Sequence, residues 1–255
     1  AHQKRIARRS GARALSARST SRERGSVSTV MLMTRSLVQL AVAPPGGWPR
    51  SMILVPTPDS GLLVHSPTWL GDDTFARVEA HGEPRVLFAP NHFHYLSIAR
   101  FRERYPRAKV VAGTTALTRL RAKGRLDVEH VDAARAELSP GTSFLECAGT
   151  RAGETLLSVD DAGTRTWIAC DAFFNVATPV DGALGVLLRA LKTTPGLCLG
   201  QTFLWLALRD RRAYREWILE ALAREKPTRL YVSHGEVAEW SDLTERLAAL
   251  VRARV

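Results

Sequence analysis

Cysteine is scarce in this chain. There are three, Cys147, Cys170 and Cys198, with no CxxC pair among them. That excludes a disulfide framework and a paired-thiolate metal knuckle, and it points to a reducing, cytoplasmic setting. Each cysteine reads as a small buried apolar residue. Long apolar runs are also missing. The stretch 37-LVQLAVAP-44 is far short of the ~20 residues that cross a bilayer, and no later stretch reaches that length, so no membrane partner is expected. Acids are nearly absent from residues 1–50, which hold ten of the 36 Lys and Arg but only Glu23 of the 25 Asp and Glu. The formal charge of +11 therefore sits almost wholly in the first fifth of the chain. The remainder is close to neutral, which removes the charge argument for a nucleic-acid partner of the folded domain. A phosphate loop is lacking too, because 113-GTTALT-118 has no Gly-Lys-Ser/Thr ending.

What is present suits one domain. With 255 residues and 45% hydrophobic content, the chain can bury a large core. Residues 1–50 read as a basic leader, rich in Arg and Ser and too polar to fold alone. Their composition fits either a transit-like segment or an extension ahead of the domain. The domain is expected over 51–255. Short β-rich runs at 52-MILVP-56 and 61-GLLVHSP-67 flank the turn 57-TPDS-60. Helical spacing appears at 72–82, 96–106 and 114–122, with strands at 85–89 and 108–113 between them. Further strands follow at 143–149 and through 153–171, where Asp160, Asp161 and Gly163 mark a hairpin turn. Helices are expected at 183–192, 210–226 and 241–253, with a strand at 229–235. Two halves, each with sheet first and helices later, fit two packed sheets covered by helices, a mixed α/β (α+β) architecture.

The chemistry-bearing residues stand at strand ends. His92 and His94 follow the strand-like 84-PRVLFAP-90, Asp171 closes 166-TWIACD-171, and His234 closes 230-LYVSH-234. Residues two apart on an extended backbone project to one side, so His92 and His94 are expected to converge. The same alternation is expected to turn Cys170 away from Asp171. Imidazole and carboxylate are ordinary zinc and iron ligands, and a site needs three or four of them. Asn91 and Asn175 flank these residues and can brace the loops through side-chain hydrogen bonds.

The order HxH (His92, His94), a strand ending in Asp171 and a late strand ending in His234-Gly235 resembles the metallo-β-lactamase superfamily. The segments 87-LFAPNHFHYLSIARFRERYPRAKVV-111, 168-IACDAFFN-175 and 232-VSHG-235 look like a branch of it with a reduced ligand set. The resemblance implies a four-layer αββα sandwich with the site along one edge of the paired sheets. It also implies His92, His94, Asp171 and His234 as metal residues, with Asp171 carrying the catalytic role. The chain departs from the family pattern as well. The Asp and His that complete HxHxDH fall on Leu96 and Ser97, and Thr150 stands where a further histidine is usual, so those three would line a pocket instead. Two readings follow. In the first the metal site is degenerate, with no ion or weak activity, and the pocket binds a small molecule or partner. In the alternative, one Zn or Fe ion serves a hydrolase of the ester, thioester, lactone or phosphoester class.

Overall fold

The computed structural model describes residues 36–42, 48–122, 127–177, 180 and 182–255. Its first sheet has six strands in chain order: β1 (Val38–Val42), β2 (Arg50–Pro56), β3 (Gly61–His65), β4 (Glu83–Ala89), β5 (Lys109–Ala112) and β6 (Glu129–His130). β1, β2 and β3 pair antiparallel, whereas β3 to β6 run parallel. Each parallel step needs a crossover, supplied by α1 (Thr74–Glu79), α2 (Ile98–Arg104) and α3 (Thr114–Ala122). β7 (Ser143–Glu146), β8 (Thr155–Asp161) and β9 (Thr164–Ala169) form an antiparallel meander that opens the second sheet. Between β8 and β9, Ala162 and Gly163 both have positive φ, the backbone that a two-residue hairpin requires. A small ribbon, β10 (Phe174–Val176) with β11 (Gly196–Cys198), is interleaved with α4 (Gly182–Ala190). α5 (Gln201–Leu206) and α6 (Arg211–Glu225) complete the crossover to β12 (Arg229–Val232), which lies parallel to β9. β13 (Ala238–Glu239) and α7 (Leu243–Arg254) finish the chain.

Strand alternation sorts the apolar residues into layers. Ile53, Val55, Val86 and Phe88 face inward and share one core with Leu157, Val159 and Ile168 of the second sheet. Their neighbours Met52, Leu54, Leu87 and Ala89 face outward onto Val78, Ile98, Phe101 and Leu117 of the first helical layer. On the far side, Leu156, Trp167, Ala169, Leu230 and Val232 pack on Tyr214, Ile218, Leu247 and Val251. The result is an αββα sandwich with three stacked cores. β3 and β4 run parallel in one sheet and β9 and β12 in the other, so the C-terminal ends of each pair lie together. The loops that leave those ends carry the polar residues.

The expected domain start at 51 is too late. β1 lies ahead of it, antiparallel to β2, with Leu37 and Leu40 buried. Its composition hid it: one five-residue edge strand beside an Arg-rich stretch gives little local signal. Residues 1–35 of the expected leader lie outside the described residues. Gln39 also bonds across to the second sheet, its Nε2 donating to the carbonyls of Val232 (3.0 Å) and Gly235 (2.9 Å). Burying two leucines contributes on the order of 3–6 kcal/mol. A chain begun at Ser51 is therefore expected to melt well below the full chain. Equal melting temperatures, read by circular dichroism, would show that β1 contributes nothing.

Candidate functional site

Asp171 is the point on which the loops converge. β9 ends at Ala169, and Cys170 and Asp171 lie in the bend that follows. Asp171 Oδ1 lies 3.4 Å from His94 Nε2 and 3.4 Å from His234 Nε2. Asp171 Oδ2 accepts from Asn91 Nδ2 at 2.8 Å. The side chains of His94 and Asp171 keep 19% and 18% of their surface exposed, so a ligand can reach them. Burial pushes the Asp171 carboxyl up, but the charge of His94 and the contact with His234 outweigh it, holding it well below the usual carboxylate range. Burial pulls His94 down, and the carboxylates of Asp171 and Glu154 more than reverse this, leaving it raised.

Each histidine is aimed by its other nitrogen. His94 Nδ1 lies 2.7 Å from the Ser66 hydroxyl, just past the end of β3. His234 Nδ1 lies 2.8 Å from the Pro49 carbonyl oxygen. A carbonyl only accepts, so Nδ1 of His234 carries the proton. Nε2 is then the nitrogen that His234 turns toward the Asp171 carboxylate. The Trp48 and Phe174 rings, with centroids 5.3 and 5.5 Å from that of His234, hold the imidazole from its sides. Gly235 has φ of 120°, and a Cβ there would come within 2.0 Å of the Asn175 carbonyl oxygen, so only glycine fits the turn after His234. Asn175 closes that turn, its amide donating to the Glu236 carbonyl at 2.9 Å.

Beneath Asp171 lies Glu154, 1% exposed and absent from the sequence-based candidates. Its Oε1 accepts the backbone N–H groups of Cys170, Asp171 and Ala172 at 3.0, 3.0 and 3.1 Å. Its Oε2 accepts from Asn91 Nδ2 at 2.7 Å, so the two amide hydrogens of Asn91 serve two carboxylates. Asn91 Oδ1 in turn accepts from the N–H groups of Phe93 and His94, which fixes the histidine loop. Burial and the Asp171 charge push Glu154 up to about 7. The one sequence signal was a glutamate at the mouth of an otherwise apolar strand, in 151-RAGETLL-157.

Several expected positions are elsewhere. His92 does not join His94. Residues 92–97 are a run of turns, so two-residue alternation does not apply. The His92 ring instead has Nδ1 3.0 Å from the Ala152 carbonyl and Nε2 3.4 Å from Arg119. Cys170 is the reverse case. The bend after β9 brings its Sγ into a group with a His94 nitrogen and an Asp171 oxygen, all within 4.8 Å of one another. Burial pushes its thiol well above the ordinary range, with Asp171 and Glu154 adding to the effect. Leu96 is 81% exposed, and Ser97 Oγ accepts from the Trp69 N–H at 3.0 Å; both line a cleft beside His94 and His234. Thr150 is buried with its hydroxyl on the Cys147 carbonyl, a loop-bracing contact.

Glu154→Gln tests the clamp. The amide keeps an oxygen for the three N–H groups, but its NH2 then abuts the NH2 of Asn91, which cannot flip without losing Phe93 and His94. The expected loss is about 1–3 kcal/mol, read from denaturant unfolding. An unchanged midpoint would show that the carboxylate is replaceable.

No protein-family model and no curated protein matches the sequence. Solved structures do match. DIM-1 metallo-β-lactamase superposes with a TM-score of 0.56 at 11% identity, covering 86% of this chain and 94% of that one. The metallo-β-lactamase FIM-1 from Pseudomonas aeruginosa, in its mono-zinc form, gives 0.52 at 13% identity, over 85% and 89%. A putative diflavin flavoprotein fragment from Nostoc sp. PCC 7120 gives 0.55 at 13% identity, over 86% and 98%. The layer order, the strand-end loops and these superpositions agree, and this chain has the metallo-β-lactamase fold.

Proposed function

We propose that this protein is a hydrolase-like member of its fold whose centre holds one metal ion on His94, Asp171 and His234. The observation that carries this reading is the pair of 3.4 Å separations between Asp171 Oδ1 and the two imidazole nitrogens. That distance is long for a direct N–H to O hydrogen bond. It is the spacing of two ligands on one tetrahedral ion, since bonds of about 2.1 Å set ligands about 3.4 Å apart. The tautomer that Pro49 fixes on His234 presents the correct lone pair, and Ser66 can take the Nδ1 proton of His94 in the same way. Cys170 Sγ lies within 4.8 Å of the His94 and Asp171 ligand atoms, and the open cleft gives solvent access to them.

The residues divide the work. Asp171 stays anionic at neutral pH and supplies the negative charge of the centre. Asn91 and Glu154 hold it in place from behind, and Pro49 and Ser66 orient the imidazoles. Two imidazoles and a carboxylate suit zinc or ferrous iron. Once bound, the ion would contribute Lewis acidity to the hydrolysis of an ester, thioester, lactone or phosphoester. His92 takes no part in this set.

Protein prepared without a His tag or chelator is expected to contain one zinc or iron per chain by inductively coupled plasma mass spectrometry. His94→Ala and Asp171→Ala should abolish that content, and His92→Ala should retain it. Saturating zinc should raise the melting temperature of chelator-treated protein, as about 2.7 kcal/mol of linkage accrues at a hundredfold excess over Kd. Metal far below one per chain with no thermal response to zinc or iron would overturn the proposal.

A further inference from the structure

His94 lines two clefts, one almost wholly apolar and one mixed. One of them, of ≈ 200 Å³, is lined by Phe93, Phe174, Phe203, Leu206 and Ala207, with His94 and Asp171 at its inner end. Among the described residues no Lys or Arg lines it. The other cleft shares Phe93 and His94 and is mixed, with Arg50, Ser51, Thr68, Ser97 and Ser233 beside Pro67, Tyr95 and Leu96. The mouth of the first cleft is apolar as well. Phe93 and Leu206 are 43% and 55% exposed, and Trp205 beside Leu206 is 57% exposed. Exposed large apolar residues clustered at the lip of a concave site mark it for an apolar ligand.

We infer that the Phe93–Phe174–Phe203–Leu206 cleft binds the apolar acyl arm of a neutral ester or thioester, with the reacting carbonyl beside His94 and Asp171. This deepens the hydrolase reading and rests on it for the reaction, though not for the binding. An aliphatic chain gains by leaving water for these walls, and it brings no charge that they would have to satisfy. A phosphoester fits this cleft poorly. Its anion would have the metal as its sole positive partner, since among the described residues no Lys or Arg lines the cleft. The mixed cleft across His94 offers hydroxyls and the Arg50 guanidinium, so a polar leaving group finds its hydrogen-bond partners there. The orientation of the substrate follows from that asymmetry.

The test measures binding by calorimetry with methyl ketones of increasing chain length, butanone through decanone, on the full chain. These are neutral and carry the carbonyl without a bond to hydrolyse. Affinity is expected to rise about fourfold per added methylene until the cleft is filled. Leu206→Asp should flatten that series; the residue is more than half exposed, so the fold should tolerate the change, and a matched melting temperature checks this. The series is run on metal-loaded and on chelator-treated protein. Chain-length dependence in both forms upholds the cleft even where the metal content is nil, which separates this inference from the hydrolase reading. A flat series in the native protein overturns it. So does a slope that Leu206→Asp leaves unchanged.

Discussion

The four short hydrogen bonds of Glu154 are the constraint on which the functional edge depends. A carboxylate in the interior is costly unless its lone pairs are satisfied, and here three consecutive backbone N–H groups and one amide satisfy them. The three N–H groups belong to the bend after β9, and the amide belongs to the loop after β4. One side chain thus fixes the relative position of two loops that grow from different sheets. Asp171 is held where both histidines meet it because its own backbone N–H is pinned to Glu154. Losing the charge would spare the three N–H bonds to this oxygen and fall on the link to Asn91, the one that crosses to the other sheet's loop.

A second layer of order comes from acceptors that leave no choice of proton position. The Pro49 carbonyl decides the tautomer of His234, and the Ala152 carbonyl does the same for His92, whose other nitrogen faces Arg119. These two histidines look alike in the sequence, each beside a strand end. Their backbone partners separate them: one presents its free nitrogen to Asp171, and the other presents it to a guanidinium. The identity of a ligand here is determined less by the residue type than by what its far nitrogen touches.

Much of the fold was legible because alternation and helical spacing are local properties. The runs at 52–56, 85–89 and 153–171 are short, apolar and bounded by turn residues, as strands buried on both faces must be, and the helix at 210–226 runs from the Asp210 cap to the residue before Pro227. β6, β10, β11 and β13 were missed because strands of two or three residues carry too few positions to show a pattern, and β1 because it follows an Arg-rich stretch. At the site, His94, Asp171 and His234 stood out by their place at strand ends and by the family pattern. Where alternation was carried beyond the strands it misled, assigning His92 inward and Cys170 outward when turns had already broken the period. Glu154 and Pro49 escaped notice for a different reason. Their roles exist only through partners that are distant in the chain, and no local pattern records such contacts.

The bonds from Gln39 to the end of β12 have a consequence for biosynthesis. Gln39 and Val232 are 193 residues apart. At ribosomal rates of 5–20 residues per second, β1 is exposed for about 10–40 s before its cross-sheet partner has even been polymerised. Over that interval the Gln39 amide has the Ser51 hydroxyl, 12 residues on, within reach. The tie that this amide makes between the sheets is therefore among the last contacts that translation makes available.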